Sequence, residues 1–275
     1  DQDCQLQLNG IDITNPVGPA VNIQSTHMTS IQILDGTSNI VTDGPDYEDP
    51  PAGEDQDGPF FSEGTMEFAG MGTLTVHGLG SGKHGLCSDD YIEIDGGHII
   101  VTGAAKDGIH ADEGLLITGG TIEVTSSGDG IDGDGGSVGI SGGTVTVNIP
   151  SDDVKGIASD EEMLVSGGTI TITVDGDQSK GMKCDSPITL NGGEITIYTN
   201  GDAVLEESGQ GYDPSYCTAI KGEDDVIISG AEITIVCTGL ANKGISADGD
   251  LVMSDGNVQV SSSSDGDTYV NEDGE

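Results

Sequence analysis

Apolar residues fall at every second position through short runs such as IEIDGGHIIV, LITGGTIEV, GISGGTVTV, LVSGGTITI and ITLNGGEITI, each interrupted near its middle by a glycine pair. Alternation with period two marks strands that bury one face. The glycine pair between them supplies the bent backbone conformations that other residues avoid. No stretch holds ten residues of helical periodicity, so the expected class is all-β.

The second glycines of these pairs are Gly97, Gly120, Gly143, Gly168 and Gly193, at successive spacings of 23, 23, 25 and 25 residues. The pattern begins weakly at Gly72 in AGMGTLTV and continues as IISGAEITI at Ala231 and VMSDGNVQV at Gly256, 38 and then 25 residues on. A period in the low twenties indicates stacked repeats. A leucine-rich repeat would need its Leu/Asn spacing, and a propeller blade about 40 residues. The spacing predicts a parallel β-helix, a solenoid with coils of 23–25 residues, two or three strands per coil, and equivalent positions stacked at about 4.8 Å. Ile and Val are expected inside, with Thr and Ser on the outer faces. The expected organisation is a single solenoid domain over residues 1–275, with an acidic loop at 42–64, an insertion at 200–216 and a polar tail at 262–275.

A second column recurs between the strand pairs, in HGLCSD, DGIHAD, DGIDGD, KGIASD, KGMKCD, AIKGE and KGISAD. Its final acids are Asp89, Asp112, Asp134, Asp160, Asp185, Glu223 and Asp248. Stacked in register they form a ladder of like charges, which is destabilising. At one strand spacing each exposed pair costs on the order of 1 kcal/mol even in water. Three things relieve that cost: splaying into solvent, neutralisation by lysine, or bridging by a hard cation. All seven lysines fall beside these turns, too few to balance the acids. Clustered carboxylates and turn carbonyls suit calcium. Calcium is therefore the expected occupant, with Asp107, Asp129 and Asp132 from the same turns joining the ladder acids as candidate ligands.

Charge narrows the partners. The chain has 49 Asp plus Glu against 7 Lys and no Arg, for a formal net charge of −42. Such a polyanion gains nothing from nucleic acid or an anionic membrane surface, and no apolar run is long enough to span a bilayer. The start at Asp1 reads as a processed or trimmed chain, with an export signal removed or lying outside this sequence. The five cysteines share no CxxC spacing, which disfavours zinc held by thiolates, and a Cys217–Cys237 disulfide is one pairing open to an exported chain. The five histidines, His27, His77, His84, His98 and His110, show no metal-ligand spacing and read as structural or solvated, although His84 and His110 fall near the acidic column. The 42–64 segment has six acids between Asp43 and Asp55, enough to wrap a cation. In the 200–216 insertion, Tyr212, Asp213 and Tyr216 are candidate ligand contacts, because insertions project from an otherwise uniform solenoid face.

The stretches LQLNGIDITNPVGPAVNIQS, ILDGTSNIVTDG, KHGLCSDDYIEIDGGHIIV and KDGIHADEGLLITGGTIEV, in that order, resemble the carbohydrate-binding domain-containing proteins of bacteria, over about residues 4–260. The resemblance implies a secreted or cell-surface, calcium-binding, right-handed parallel β-helix shaped like a pectate lyase. It further implies adhesion to plant polysaccharides such as polygalacturonate or cellulose without cleavage; the insertion around Tyr212 departs from that pattern. With no Trp, three Phe and six Tyr, an aromatic platform for neutral sugar is poorly supplied, and an acidic glycan bridged through calcium fits the charge better. One alternative is a structural subunit of an extracellular filament, sheath or matrix that assembles end to end through unpaired strand edges. A polysaccharide lyase ranks third, because Arg is absent and the lysines recur as a column.

Overall fold

A computed structural model describes residues 2–263, 266, 268–271, 273 and 274. Part of the expected polar tail (residues 264, 265, 267, 272 and 275) lies outside them. The described chain winds into a solenoid of parallel strands in ten turns, here numbered coils 1–10, and contains no helix.

Each complete coil places strands in three rows. The first row runs through Cys4–Leu8, Thr29–Ile33, Met66–Gly70, Ile92–Ile94, Gly114–Ile117 and Ser137–Ile140. The second runs through Asp12–Thr14, Ser38–Thr42, Thr73–His77, His98–Ala104, Thr121–Ser126 and Thr144–Ile149. In coils 7–10 these two rows merge into bent strands of 12 residues each, Met163–Val174, Ile188–Thr199, Val226–Cys237 and Leu251–Ser262, and together they form one 16-stranded sheet. The third row is a separate sheet of nine strands: Val21–Ile23, Phe60–Ser62, Leu86–Ser88, Ile109–Ala111, Ile131–Asp132, Lys155–Ser159, Lys180–Cys184, Thr218–Gly222 and Lys243–Ala247.

The glycine pairs sit at the corner between the first two rows. Gly143 has φ 77° and Gly168 φ 85°. A Cβ on Gly143 would lie 2.7 Å from the Gly119 carbonyl oxygen of the coil below. Left-handed backbone and close stacking both exclude a side chain there.

Side chains stack in register along the axis. In the third row Phe60, Leu86, Ile109, Ile131, Ile157, Met182 and Ile220 form one fully buried interior column. In the second, Val101, Val124, Val147, Ile172, Ile197 and Ile235 do the same. Burying each such side chain is worth about 1.5–3 kcal/mol, so the shared interior holds the coils together. Coil 10 leaves its interior-facing positions uncovered, with Leu251, Met253 and Val260 at 54%, 51% and 51% exposure.

Both interruptions fall between the second and third rows. In the first, a third-row strand, Phe60–Ser62, lies inside the stretch expected to be wholly loop, because Phe60 and Phe61 fill the core. The second is an antiparallel hairpin, Val204–Ser208 with Gly211–Ser215. The tail returns to it: Tyr212 N–H donates to the Val270 carbonyl at 2.9 Å. The Cys217–Cys237 disulfide is not formed. All five cysteines are free thiols, and both members of that pair are buried.

Candidate functional site

The third row organises three parallel columns on one face. Its outward-pointing residues stack as Cys87, His110, Asp132, Ala158, Lys183, Lys221 and Ser246. Beyond the strand ends lies the acidic ladder. Backbone hydrogen bonds between adjacent coils carry it: Asp89 N–H donates to Ser62 O, Asp112 to Ser88, Asp160 to Asp134, Asp185 to Ser159, Glu223 to Cys184 and Asp248 to Gly222, all at 2.9–3.1 Å. Asp107 and Asp129 do not join this ladder. They precede the strands, while Asp132 occupies the middle column; Asp129 and Asp132 nevertheless line one cleft with the ladder acids Asp134, Asp160 and Asp185.

Neutralisation of the ladder is uneven. Lys183 pairs with Asp185 at 2.6 Å and reaches Glu223 at 3.8 Å. Lys221 pairs with Glu223 at 3.3 Å and Asp248 at 2.5 Å. In coils 3–6, by contrast, Asp89, Asp112, Asp134 and Asp160 have no lysine partner among the described residues. Burial, then the charges of Asp112 and Glu63, push Asp89 up to about 6. Burial, Asp185 and Asp134 raise Asp160 as well. Carboxylates from Asp129, Asp132, Asp134, Asp160 and Asp185, with the ammonium groups of Lys155 and Lys183, line a cleft of about 190 Å³. Carboxylate oxygens this densely placed can hold a hard cation.

All seven lysines lie in third-row strands or the turns leading into them, so the cations of a strongly acidic chain gather on this one face. Lys180, Lys221 and Lys243 line a second cleft, of about 270 Å³, whose wall is Pro214, Ser215 and Tyr216 of the hairpin. Lys243 Nζ stands 3.7 Å from the centre of the Tyr216 ring. Of the three candidate ligand contacts only Tyr216 lines this cleft; Tyr212 faces the tail through its bridge to Asn271, and Asp213 is exposed opposite Glu206.

On the other edge the buried groups interlock. His84 is 5% exposed and stacks on His110 with ring centres 4.1 Å apart, so each ring covers a face of the other. His84 Nδ1 and His110 Nδ1 approach Asp107 Oδ2 at 3.1 and 3.4 Å, and His110 Nδ1 lies 3.1 Å from Asp132 Oδ2. His110 Nε2–H donates to Asp112 Oδ1 at 3.0 Å. Burial alone would lower the His110 pKa, but its contacts with Asp107 and Asp132 outweigh that and raise it to about 10. Burial likewise opposes ionisation of Asp107, yet His110 and His84 hold that carboxyl well below the usual carboxylate range. Burial pushes Asp129 up to about 6, against the pull of Lys155.

Part of the 42–64 segment is structural. Asp43 is buried and accepts hydrogen bonds from Leu79 N–H (2.6 Å), Gly80 N–H (3.1 Å) and the Tyr47 hydroxyl (2.8 Å). Asp46, Glu48, Asp49 and Asp55 line an open cleft of about 430 Å³ beside Lys83.

The model of one protein family, described as "Carbohydrate-binding domain-containing protein", matches residues 1–210 and 177–266. A protein of that description from Acetivibrio thermocellus is 30% identical over 97 residues, which are 35% of this chain and 33% of the relative. The aligned stretch thus spans about a third of that relative's length. Among solved structures, the polysaccharide lyase-like protein from C. thermocellum, a gadolinium derivative, superposes with a TM-score of 0.53 at 21% identity, covering 93% of this chain and 77% of the other. That likeness is one of fold.

Proposed function

The chain belongs to the carbohydrate-binding domain-containing protein family, and we propose that it binds acidic polysaccharide, such as polygalacturonate, through calcium held on its third-row face, outside the cell and without cleaving the glycan. One observation carries this reading: carboxylates of coils 3–6 that have no lysine partner among the described residues and the lysines of coils 6–9 share one face. A polyuronate meeting a chain of net charge −42 is repelled unless cations intervene. Calcium on Asp134, Asp160 and their neighbours supplies a bridge, because its six to eight oxygen ligands leave positions open for sugar carboxylates. Lys180, Lys221 and Lys243 add direct ammonium contacts in the adjoining cleft, with Tyr216 as its wall. Open sites of this kind bind calcium at about 10⁻⁴–10⁻³ M, a range that fills outside cells.

Absence of cleavage is part of the same proposal and concerns Lys183 of the ladder cleft; burial lowers the pKa of Lys180 and Lys243 in the adjoining cleft, so the uronate absorbance is the deciding readout there. A base for β-elimination works best with its pKa brought down toward the working pH. Burial pulls Lys183 that way, but Asp185 and Glu223 prevail and hold it above its ordinary value. Retention on polygalacturonate, cellulose and a neutral control, with calcium and then with excess chelator, tests the reading. Calcium-dependent retention on the acidic glycan alone, with no rise in absorbance from unsaturated uronate, supports it; retention that survives the chelator sinks the bridge.

A second reading, end-to-end assembly into a filament, is favoured by the exposed Leu251, Met253 and Val260 of coil 10. Sedimentation of the chain and of Met253→Lys separates the two: concentration-dependent growth abolished by the lysine supports assembly, and a monomer in both rejects it.

A further inference from the structure

We propose that His84, His110 and Asp107 form a binding site for a divalent transition-metal ion of the zinc class, which shares with the ladder only the supporting carboxylate of Asp112. Coil stacking builds the site. Leu86 pairs with Ile109 across adjacent third-row strands, so the residue two before each strand, His84 in one coil and Asp107 in the next, meet at the same corner. His110 then points outward beside them.

Three features identify the ligand class. The first is distance. Zinc bonds to imidazole nitrogen and carboxylate oxygen measure about 2.0–2.2 Å, and a tetrahedron of such bonds sets neighbouring donors about 3.3–3.5 Å apart. Asp107 Oδ2 stands 3.1 Å from His84 Nδ1 and 3.4 Å from His110 Nδ1, and donor atoms of all three residues lie within 4.8 Å of one another. The second is an orphan. His84 Nδ1 is buried and off the hydrogen-bonding line to Asp107, so this nitrogen, in a residue 5% exposed, points into the cluster without an aligned partner. The third is the outer support. His110 gives its Nε2–H to Asp112, the carboxylate–histidine–metal arrangement that orients a ligand, and an ion bound at Nδ1 would replace the proton that this nitrogen now shares with Asp132 Oδ2. Two imidazoles and a carboxylate suit zinc, cobalt or nickel, whereas calcium takes only oxygens. Asp132 Oδ2, 3.1 Å from His110 Nδ1, flanks the remaining side.

Binding has two structural consequences. The ring planes, now 20° apart, must open toward the ion. Ligation through His84 Nδ1 also puts its proton on Nε2, which displaces Lys106 Nζ from its 3.4 Å contact there.

The test uses the full chain carrying Cys4→Ser, which removes an exposed thiol. It is stripped with chelator, held in excess calcium, titrated with cobalt(II) and then challenged with zinc(II). One equivalent of cobalt should develop the intense visible bands of four-coordinate cobalt, and zinc should abolish them. His84→Ala and His110→Ala should each eliminate the bands; Asp112→Ala should weaken binding by about 10–100-fold; Asp160→Asn, on the ladder, should leave them unchanged. Should the buried His84→Ala fail to fold by circular dichroism, the half-buried His110→Asn carries the same test. Absence of the bands in the parent protein, or their persistence in both histidine variants, overturns the assignment.

Discussion

Asp160→Asn should raise stability in chelator and lower the stability gained from calcium, so that the order of parent and variant reverses between the two conditions. Asp160 sits one rung from Asp134, to whose carbonyl its N–H donates at 3.0 Å, and one rung from Asp185. At the strand spacing of about 4.8 Å, each like-charge neighbour costs about 0.9 kcal/mol in water. Screening at about 0.1 M salt leaves roughly 0.5 kcal/mol of each. Lys183, bound to Asp185 at 2.6 Å, returns a fraction. Removing the charge while keeping the shape should therefore stabilise the chelated protein by about 0.5–1 kcal/mol, or some 1–3 °C in Tm for a chain of this size. Calcium at tenfold its Kd stabilises a folded site by about 1.4 kcal/mol, and the variant forfeits most of that. Differential scanning calorimetry in chelator and in about 10 mM calcium reads both effects. A variant less stable than the parent in chelator would mean that the carboxylate makes a favourable contact. Identical melting of both proteins in both conditions would mean that the acids splay into solvent and hold no ion.

Gly143→Ala should cost about 2–4 kcal/mol, of which about 1–2 comes from the left-handed backbone and the rest from the clash with the Gly119 carbonyl, 2.7 Å from the added carbon; the urea midpoint should fall with its slope unchanged. Ile172→Ala, fully buried between Val147 and Ile197, should cost about 2–5 kcal/mol, measured the same way. In chelator, Tm should rise as sodium chloride goes from about 0.01 to 0.3 M, because screening relieves the self-repulsion of net charge −42; a fall would show that ion pairs outweigh repulsion. Lys221→Met removes the partner of both Glu223 and Asp248 and should lower Tm in chelator, with calcium restoring part of the loss.

The glycine pairs were readable because one geometric demand, a bend packed against the coil below, recurs with the period of the coil; Gly97, Gly120, Gly143, Gly168, Gly193 and Gly256 all take positive φ. The third row was harder to see. Its strands are short, Ile131–Asp132 having only two residues, and their alternation is cut off before a period can register. Phe60–Ser62 was hidden by the Pro, Gly and acidic residues ahead of it. The acidic ladder was readable as a column, but the separation of Asp107, Asp129 and Asp132 from it depends on which side of a strand each residue leaves, which composition does not encode. The histidine pair was missed for a related reason. Metal-ligand spacings are local on one helix or turn, whereas His84 and His110 meet because one coil of winding lies between them. A search at one period plus or minus a few residues would have found them.

The most direct test of the account is retention on polygalacturonate in calcium by the parent chain and by a variant in which Asp132, Asp134 and Asp160 are all asparagine. The account predicts calcium-dependent retention of the parent, reversed by chelator, and at least a tenfold loss in the variant, about 1.4 kcal/mol, with its circular dichroism unchanged. Equal retention of the two proteins would contradict the claim that these carboxylates hold the bridging calcium.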